Sequence, residues 1–311
     1  MASKRVALAL GSGGARGYAH IGVIDELRVR GYEIVGIAGS SMGALVGGLQ
    51  AAGRLDEFAD WAKSLTQRAV LRLLDPSITA AGVLRAEKIL DAVRDILGEA
   101  TIEELPIPYT AVSTDLLSGK SVWLQRGPVD AAIRASIAIP GVITPHVFGG
   151  RLLADGGILD PLPMAPIAAV NADLTIAVSL AGSEAGGRYA STDTEPRATS
   201  EWLSRMWRST TALFERTGAA PDEPAEELVD ASKEEPVPRL GSFEVMNRTI
   251  DIAQAALARH TLAAYPPDVL VEVPRTACRS LEFYRAAEVI DIGRELAATV
   301  LDELEKSTQE S

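Results

Sequence analysis

At 311 residues the chain is long enough for one large domain or two modest ones with an ample core. Its formal net charge of −12, with no basic stripe, excludes a nucleic-acid binder, while 47% hydrophobic and 23% charged residues suit a soluble globular protein. A single cysteine, Cys278, rules out an internal disulfide; with only His20, His146 and His260 beside it, we expect no metal and no cofactor.

Val6–Leu10 reads as a buried strand. Lys4 and Arg5 precede it, but the apolar patch before Gly11 is too short for a signal peptide. The loop Gly11-Ser12-Gly13-Gly14-Ala15-Arg16-Gly17 follows, then a helix with Ile21, Val23, Ile24 and Leu27 on one face, ended by Gly31. Ile34–Ala38 is a second buried strand. It runs into Gly39-Ser40-Ser41-Met42-Gly43, and Ala44–Leu49 opens the next helix. Residues 34–53 carry no charge over about one bilayer-spanning length, but six glycines and two serines break the run. A strand, turn and helix account for it.

Residues 54–105 read as largely helical, with breakers at Asp75-Pro76 and Leu105-Pro106-Ile107-Pro108. Tyr109–Thr114 and Ser121–Leu124 read as paired strands around a turn at Ser118-Gly119-Lys120. A helix over Asp130–Ala138 stops at Ile139-Pro140-Gly141. Arg151–Ala154 leads into Asp155-Gly156-Gly157, and Leu174–Leu180 is another buried strand. Residues 182–240 have linker composition, rich in Gly, Ser, Thr, Pro and Glu. Within them Glu201–Arg216 is a helix-like island carrying Trp202, Leu203, Met206, Trp207, Leu213 and Phe214. It reads either as a helix packed on the body or as an amphipathic lid or membrane-docking helix. From Phe243 order returns: a helix to Ala264, a strand Val269–Val273, and a C-terminal helix from about Ser280. The predicted organisation is a core at 4–181, an insert at 182–240 with a lid candidate at 201–216, and a packing segment at 241–311. Alternating strands and helices predict an α/β fold with function at the C-terminal ends of parallel strands.

Three stretches carry chemistry. Gly39-Ser40-Ser41-Met42-Gly43 between a strand and a helix fits a nucleophile elbow. The tight turn demands small residues at 39 and 43, and it is expected to hold the Ser41 hydroxyl exposed at a helix N-terminus. The glycine loop lines up N–H groups suited to a phosphate or an oxyanion. A dinucleotide fingerprint fits it poorly, because Gly17 falls one place late and the second strand ends in Gly39-Ser40-Ser41 rather than an acid. For a base, His260 lies mid-helix, whereas Asp155 follows a short strand and precedes two glycines. A carboxylate bonded directly to a serine hydroxyl can act as general base without histidine. Taken alone, Asp155-Gly156-Gly157 is also a simple turn.

In this order the three motifs resemble the patatin-like phospholipase family. Residues 12–17 (Ser12-Gly13-Gly14-Ala15-Arg16-Gly17) parallel its G-G-G-x-[RK]-G loop, with Ser12 standing for a glycine. Arg134-Ala135-Ser136-Ile137-Ala138-Ile139-Pro140-Gly141 is similar to the segment between elbow and aspartate, and Asp160 stands where members often carry Asn. The resemblance implies a three-layer α/β/α patatin-like fold with a mainly parallel central sheet. It implies Ser41 as nucleophile, Asp155 as base, and backbone N–H groups of Gly13, Gly14 and Ala15, supported by Arg16, as the oxyanion hole. The expected activity is that of a phospholipase A, lysophospholipase or carboxylesterase, with no calcium. The partners it implies are a lipid or acyl ester and peripheral contact with a membrane. The expected place is the cytoplasm, at the inner membrane face. The alternatives are a regulatory or adaptor protein that keeps the fold, and a Ser–His–acid esterase using His260.

Overall fold

The computed structural model describes residues 3–73, 87–140, 142–182 and 242–309. The insert and its candidate helix Glu201–Arg216 lie outside them. In chain order the first half runs β1 (Arg5–Leu10), α1 (Ala19–Val29), β2 (Glu33–Ser40), α2 (Met42–Ala51), α3 (Leu55–Ser64), α4 (Gln67–Leu73) and α5 (Glu87–Leu97). Then come β3 (Tyr109–Asp115), β4 (Lys120–Leu124), α6 (Val129–Ser136), β5 (His146–Phe148), β6 (Arg151–Asp155) and β7 (Leu174–Gly182). The last elements are α7 (Ser242–Ala264), β8 (Val269–Pro274) and α8 (Ala286–Gln309).

The strands form one mixed sheet in the order β5-β6-β3-β2-β1-β7-β8, with β4 also on β3. β3, β2, β1, β7 and β8 pair in parallel, and β4, β5 and β6 are antiparallel additions. β1 shows why the sheet is central. Val6, Leu8 and Leu10 enter a cluster with Ile21 and Ile24 of α1, Leu45 and Leu49 of α2, and Ile290 and Leu301 of α8. Ala7 and Ala9 point the other way, onto Leu162, Met164 and Ala258 of α7. A strand buried on both faces must be apolar throughout, which is the continuous run read from the sequence. Alanines on the second face (Ala7, Ala9, Ala38, Ala177) leave room for α7 and the Leu162–Ile167 segment to pack closely. The fold is therefore α/β, with helices on both faces of a mostly parallel sheet.

Two features depart from the sequence reading. The C-terminal helix starts at Ala286, because residues 275–277 and 283–285 form 3-10 turns ahead of it. β5 went unread, since three residues offer no periodicity to detect. The register of β3 matters most. β4 occupies one edge of β3, so β2 and β6 share the other: Ser40 pairs with Val112, and Asp155 pairs with the next residue, Ser113. β6 thus takes over the sheet position where β2 stops, which brings the residue after Ser40 against the end of β6.

Candidate active site

Ser41 is the only non-glycine with positive φ among the described residues (φ 55°, ψ −122°). That conformation is costly for an L-residue and persists only where the surroundings over-determine it. Here they do. A methyl group at Gly39 would collide with the Gly43 carbonyl, and one at Gly43 with the Leu10 carbonyl, so both elbow positions admit only glycine. The Ser41 N–H donates to Ser136 Oγ at 2.9 Å, and the Ser136 hydroxyl donates to the Val112 carbonyl at 2.5 Å. The end of α6 thereby clips the elbow to β3.

The Ser41 hydroxyl donates to Asp155 Oδ2 at 2.5 Å. Asp155 Oδ1 accepts from the Gly157 N–H at 2.7 Å, and the Asp155 N–H donates to the Ala138 carbonyl at 2.9 Å. One carboxylate oxygen is held by backbone and the other faces serine. Burial pushes the Asp155 carboxyl up to about 6, against the two hydrogen bonds that pull it down. Ser41 is 1% exposed and Asp155 3%. The sequence expectation of an exposed hydroxyl is corrected here: the elbow drives Ser41 inward, where Asp155 and Ser136 take up its polar groups.

The glycine loop is folded as a 3-10 turn, Gly14–Tyr18, and lies against the other two motifs. A methyl at Gly17 would collide with Met42, and one at Gly157 with the Ser12 hydroxyl. Its backbone is pinned from three directions: Gly11 N–H to Val178 O (3.0 Å), Ser12 N–H to Pro161 O (2.8 Å) and Ala15 N–H to Ser280 O (2.9 Å). His20, fully buried, donates from Nε2 to the Gly11 carbonyl at 2.8 Å when its proton sits there, and burial lowers its pKa to about 4, so it stays neutral. The Ala15 amide is thus already engaged. No backbone acceptor takes the Gly13 or Gly14 N–H among the described residues. Arg16 is buried and reaches Asp251 of α7 through Nη2 at 3.1 Å, while its Nε has no partner among the described residues.

His260 is exposed on α7, and the Ser41 hydroxyl is bonded to Asp155 instead. Asp160 follows the Asp155-Gly156-Gly157 turn, its N–H bonded to the Gly156 carbonyl at 2.9 Å and its carboxyl pushed up to about 6 by burial. Ser136 was missed as a site residue by sequence reasoning. It lay inside a stretch noted for its resemblance, but its partner Ser41 is 95 positions away and nothing local reveals the bond. Among the described residues, no group of three His, Cys, Asp or Glu side chains is arranged to hold a metal, and no helix is long and apolar enough to cross a membrane.

Several known proteins are similar to this chain. The profile of the patatin-like phospholipase family matches residues 8–168, from β1 past the Asp155 turn. An uncharacterized NTE family protein of Mycobacterium tuberculosis is 66% identical, over 99% of this chain and 94% of its own length. A lysophospholipase of Mycosarcoma maydis is 33% identical over 65% of this chain and 10% of its own length. The crystal structure of VipD from Legionella pneumophila aligns with a TM-score of 0.46 and 15% identity, covering 97% of this chain and 67% of that one. By the family match and by its mycobacterial relatives, the chain belongs to the patatin-like phospholipase family.

Proposed function

We propose that this protein is a lipid acyl hydrolase in which Ser41 and Asp155 act as a dyad through an acyl-enzyme. The observation that carries the reading is the 2.5 Å bond from the Ser41 hydroxyl to a buried, backbone-held carboxylate, with no histidine between them. Asp155 takes the hydroxyl proton as Ser41 Oγ bonds to the ester carbonyl carbon. The carbonyl electron pair moves onto oxygen, and the Gly13 and Gly14 N–H groups receive that oxyanion. Collapse expels the alcohol, which takes the proton from Asp155. Water, deprotonated by Asp155, then attacks the acyl-enzyme and releases a fatty acid and free Ser41. Each oxyanion donor contributes about 3–4 kcal/mol to such a transition state. Arg16 holds the loop through Asp251 and adds positive potential behind it.

A base pushed up to about 6 is matched to this work: it is ionised at neutral pH yet still basic enough to accept a proton. The lysophospholipase relative supports a lipid ester as substrate. One cysteine and an acidic surface fit a cytoplasmic protein that meets lipid from the inner face. The test is hydrolysis of a soluble short-chain acyl ester by purified protein. Ser41→Ala and Asp155→Asn should each be inactive while melting like the wild type or above it, and His260→Ala should retain near-normal turnover. Turnover by either of the first two would sink the dyad, and loss in His260→Ala would favour a histidine relay.

A further inference from the structure

Five buried side-chain polar atoms find no hydrogen-bond partner among the described residues, and three of them are strand hydroxyls: Ser40 on β2, and Ser113 and Thr114 on β3. Ser40 and Ser113 are 0% exposed and Thr114 is 3% exposed. A buried hydroxyl without a partner costs desolvation energy, so each such group calls for a cause. Register separates the three. Successive residues of a strand face opposite sides of the sheet, while directly opposed residues of antiparallel strands share one side. Ser113 is opposite Asp155, and Thr114 is opposite Ala154. Ser40 lies beside Val112, and a methyl at Gly156, the residue after Asp155, would meet Ser40 Oγ at 2.6 Å. Ser40 and Thr114 therefore share the face turned away from the Asp155 carboxyl. Of the three hydroxyls, Ser113 alone stands on the Asp155 side.

It also stands close. The Leu116 N–H donates to the Leu152 carbonyl at 2.9 Å, which makes these two a hydrogen-bonded pair of the β3–β6 ladder. Such pairs alternate with non-hydrogen-bonded ones. Three steps back, Ser113 and Asp155 thus form a non-hydrogen-bonded pair, the kind with Cα atoms about 4.5 Å apart and side chains nearest. The Asp155 N–H agrees, because it donates to the Ala138 carbonyl rather than across the ladder. On its other side Ser113 is opposite Val122, so Asp155 is the polar side chain that the neighbouring strands set against it. Both Asp155 oxygens are already engaged, Oδ2 by the Ser41 hydroxyl and Oδ1 by the Gly157 N–H. Acylation changes that inventory. An ester at Ser41 Oγ carries no hydrogen, so Oδ2 loses its donor at the step where Asp155 must activate water.

We propose that Ser113 is a positioning residue for deacylation: once Ser41 is acylated, the Ser113 hydroxyl turns about χ1 and donates to Asp155 Oδ2. This role rests on the reading of the chain as a dyad acyl hydrolase. Each carboxylate oxygen accepts at two lone pairs, so Ser113 holds Oδ2 while a water hydrogen-bonds beside it. The bond favours the ionised carboxylate, which burial opposes. The water oxygen then bonds to the acyl carbon as Asp155 takes its proton. The tetrahedral intermediate expels Ser41 Oγ, which regains a proton from Asp155, and the fatty acid leaves. Ser41 resumes its bond to Asp155, and Ser113 is again without a partner. Ser113 itself transfers no proton at any step.

The test separates the two half-reactions of p-nitrophenyl butyrate in the full-length wild type, Ser113→Ala and Thr114→Val. Stopped-flow release of p-nitrophenolate reads acylation, and intact mass after acid quench reads decay of the acyl-enzyme. Ser113→Ala should acylate within about twofold of the wild type, yet its acyl-enzyme should decay at least about tenfold more slowly, the lower end for a hydrogen bond to a charged group. An acyl-enzyme that persists in this way lowers kcat and KM together and leaves kcat/KM unchanged. Thr114→Val removes a similarly buried hydroxyl from the opposite face and should change neither half-reaction. Both variants should melt at or above the wild type, since each loses an unpartnered polar group. Decay of the Ser113→Ala acyl-enzyme at the wild-type rate would overturn the proposal alone and leave the hydrolase reading standing. Equal slowing in Thr114→Val would also overturn it, by showing a general effect of altering β3. A wild type that forms no acyl-enzyme would overturn the hydrolase reading, and the proposal with it.

Discussion

The two ends of β6 invert the usual rule in opposite ways. At Asp155 the strand buries a carboxylate beside a buried serine; at Leu152, three residues earlier, it shares an apolar row with the exposed Leu116 and Val147. Folding alone favours neither arrangement. A buried carboxylate without a cation costs desolvation energy, and bare apolar surface forfeits burial. Each deviation is tolerated because backbone fixes it: Gly157 and Ala138 hold Asp155, and the ladder to β3 and β5 holds Leu152. Sites that break a local rule while their surroundings obey it are where function is expected. Here one short strand carries a candidate base at one end and part of an exposed apolar row at the other.

The largest effect should come from breaking the buried end. Ser41→Ala removes the proposed nucleophile and should lower kcat by about 10⁴-fold or more, read on a soluble ester. Asp155→Asn should lose nearly as much activity, about 10³–10⁴-fold, yet gain stability. The sign follows from the raised carboxyl. Its folded pKa of about 6 lies above the unfolded value of 3.8, so the folded state holds the proton between those values while the unfolded state releases it. Stability therefore falls as pH rises from about 4 to 6 and stays low above. Asp155→Asn should melt above the wild type at pH 7, by about 1–3 kcal/mol, with the difference vanishing near pH 4. Wild-type activity should show the reverse trend, rising through a limb near pH 6 as the base ionises.

Ser136→Ala sharpens the comparison by testing the clip rather than the chemistry. It leaves the buried Ser41 N–H and Val112 carbonyl without their partner, which costs about 1–3 kcal/mol of stability. With the elbow loosened, kcat should fall about 10–100-fold while KM changes little. An unchanged kcat with lowered stability would make Ser136 a merely structural residue. Asp160→Asn should have the smallest effect. It removes a carboxyl that burial disfavours in its charged form, so turnover should stay near the wild type and the melting temperature at pH 7 should rise slightly.

What the sequence revealed follows the range of the interactions involved. The elbow was legible because Gly39 and Gly43 answer to contacts within one turn and with the preceding strand. Asp155 was legible as a candidate because a short strand followed by two glycines leaves its carboxylate approachable by backbone, as Gly157 shows. The parallel core was legible because β1 is buried on both faces and so carries no polar residue between Val6 and Leu10. Ser136 was not, since its hydroxyl acts between an elbow and a strand far away in sequence. The burial of Ser41 and the start of the last helix depend likewise on tertiary placement. Ser280 serves the glycine loop through its carbonyl, and a helix starting there would commit that group elsewhere. Nor could the apolar row be read, because Leu116, Leu152 and Val147 become neighbours only through register.

The most direct test of the dyad is the rate at which a fluorophosphonate labels Ser41 as a function of pH, in the wild type and in Asp155→Asn. If Asp155 is the base, wild-type labelling rises through a limb near pH 6, and Asp155→Asn, folded and at least as stable, labels slowly with no such limb. Labelling of Asp155→Asn at the wild-type rate and with the same pH profile would contradict the account.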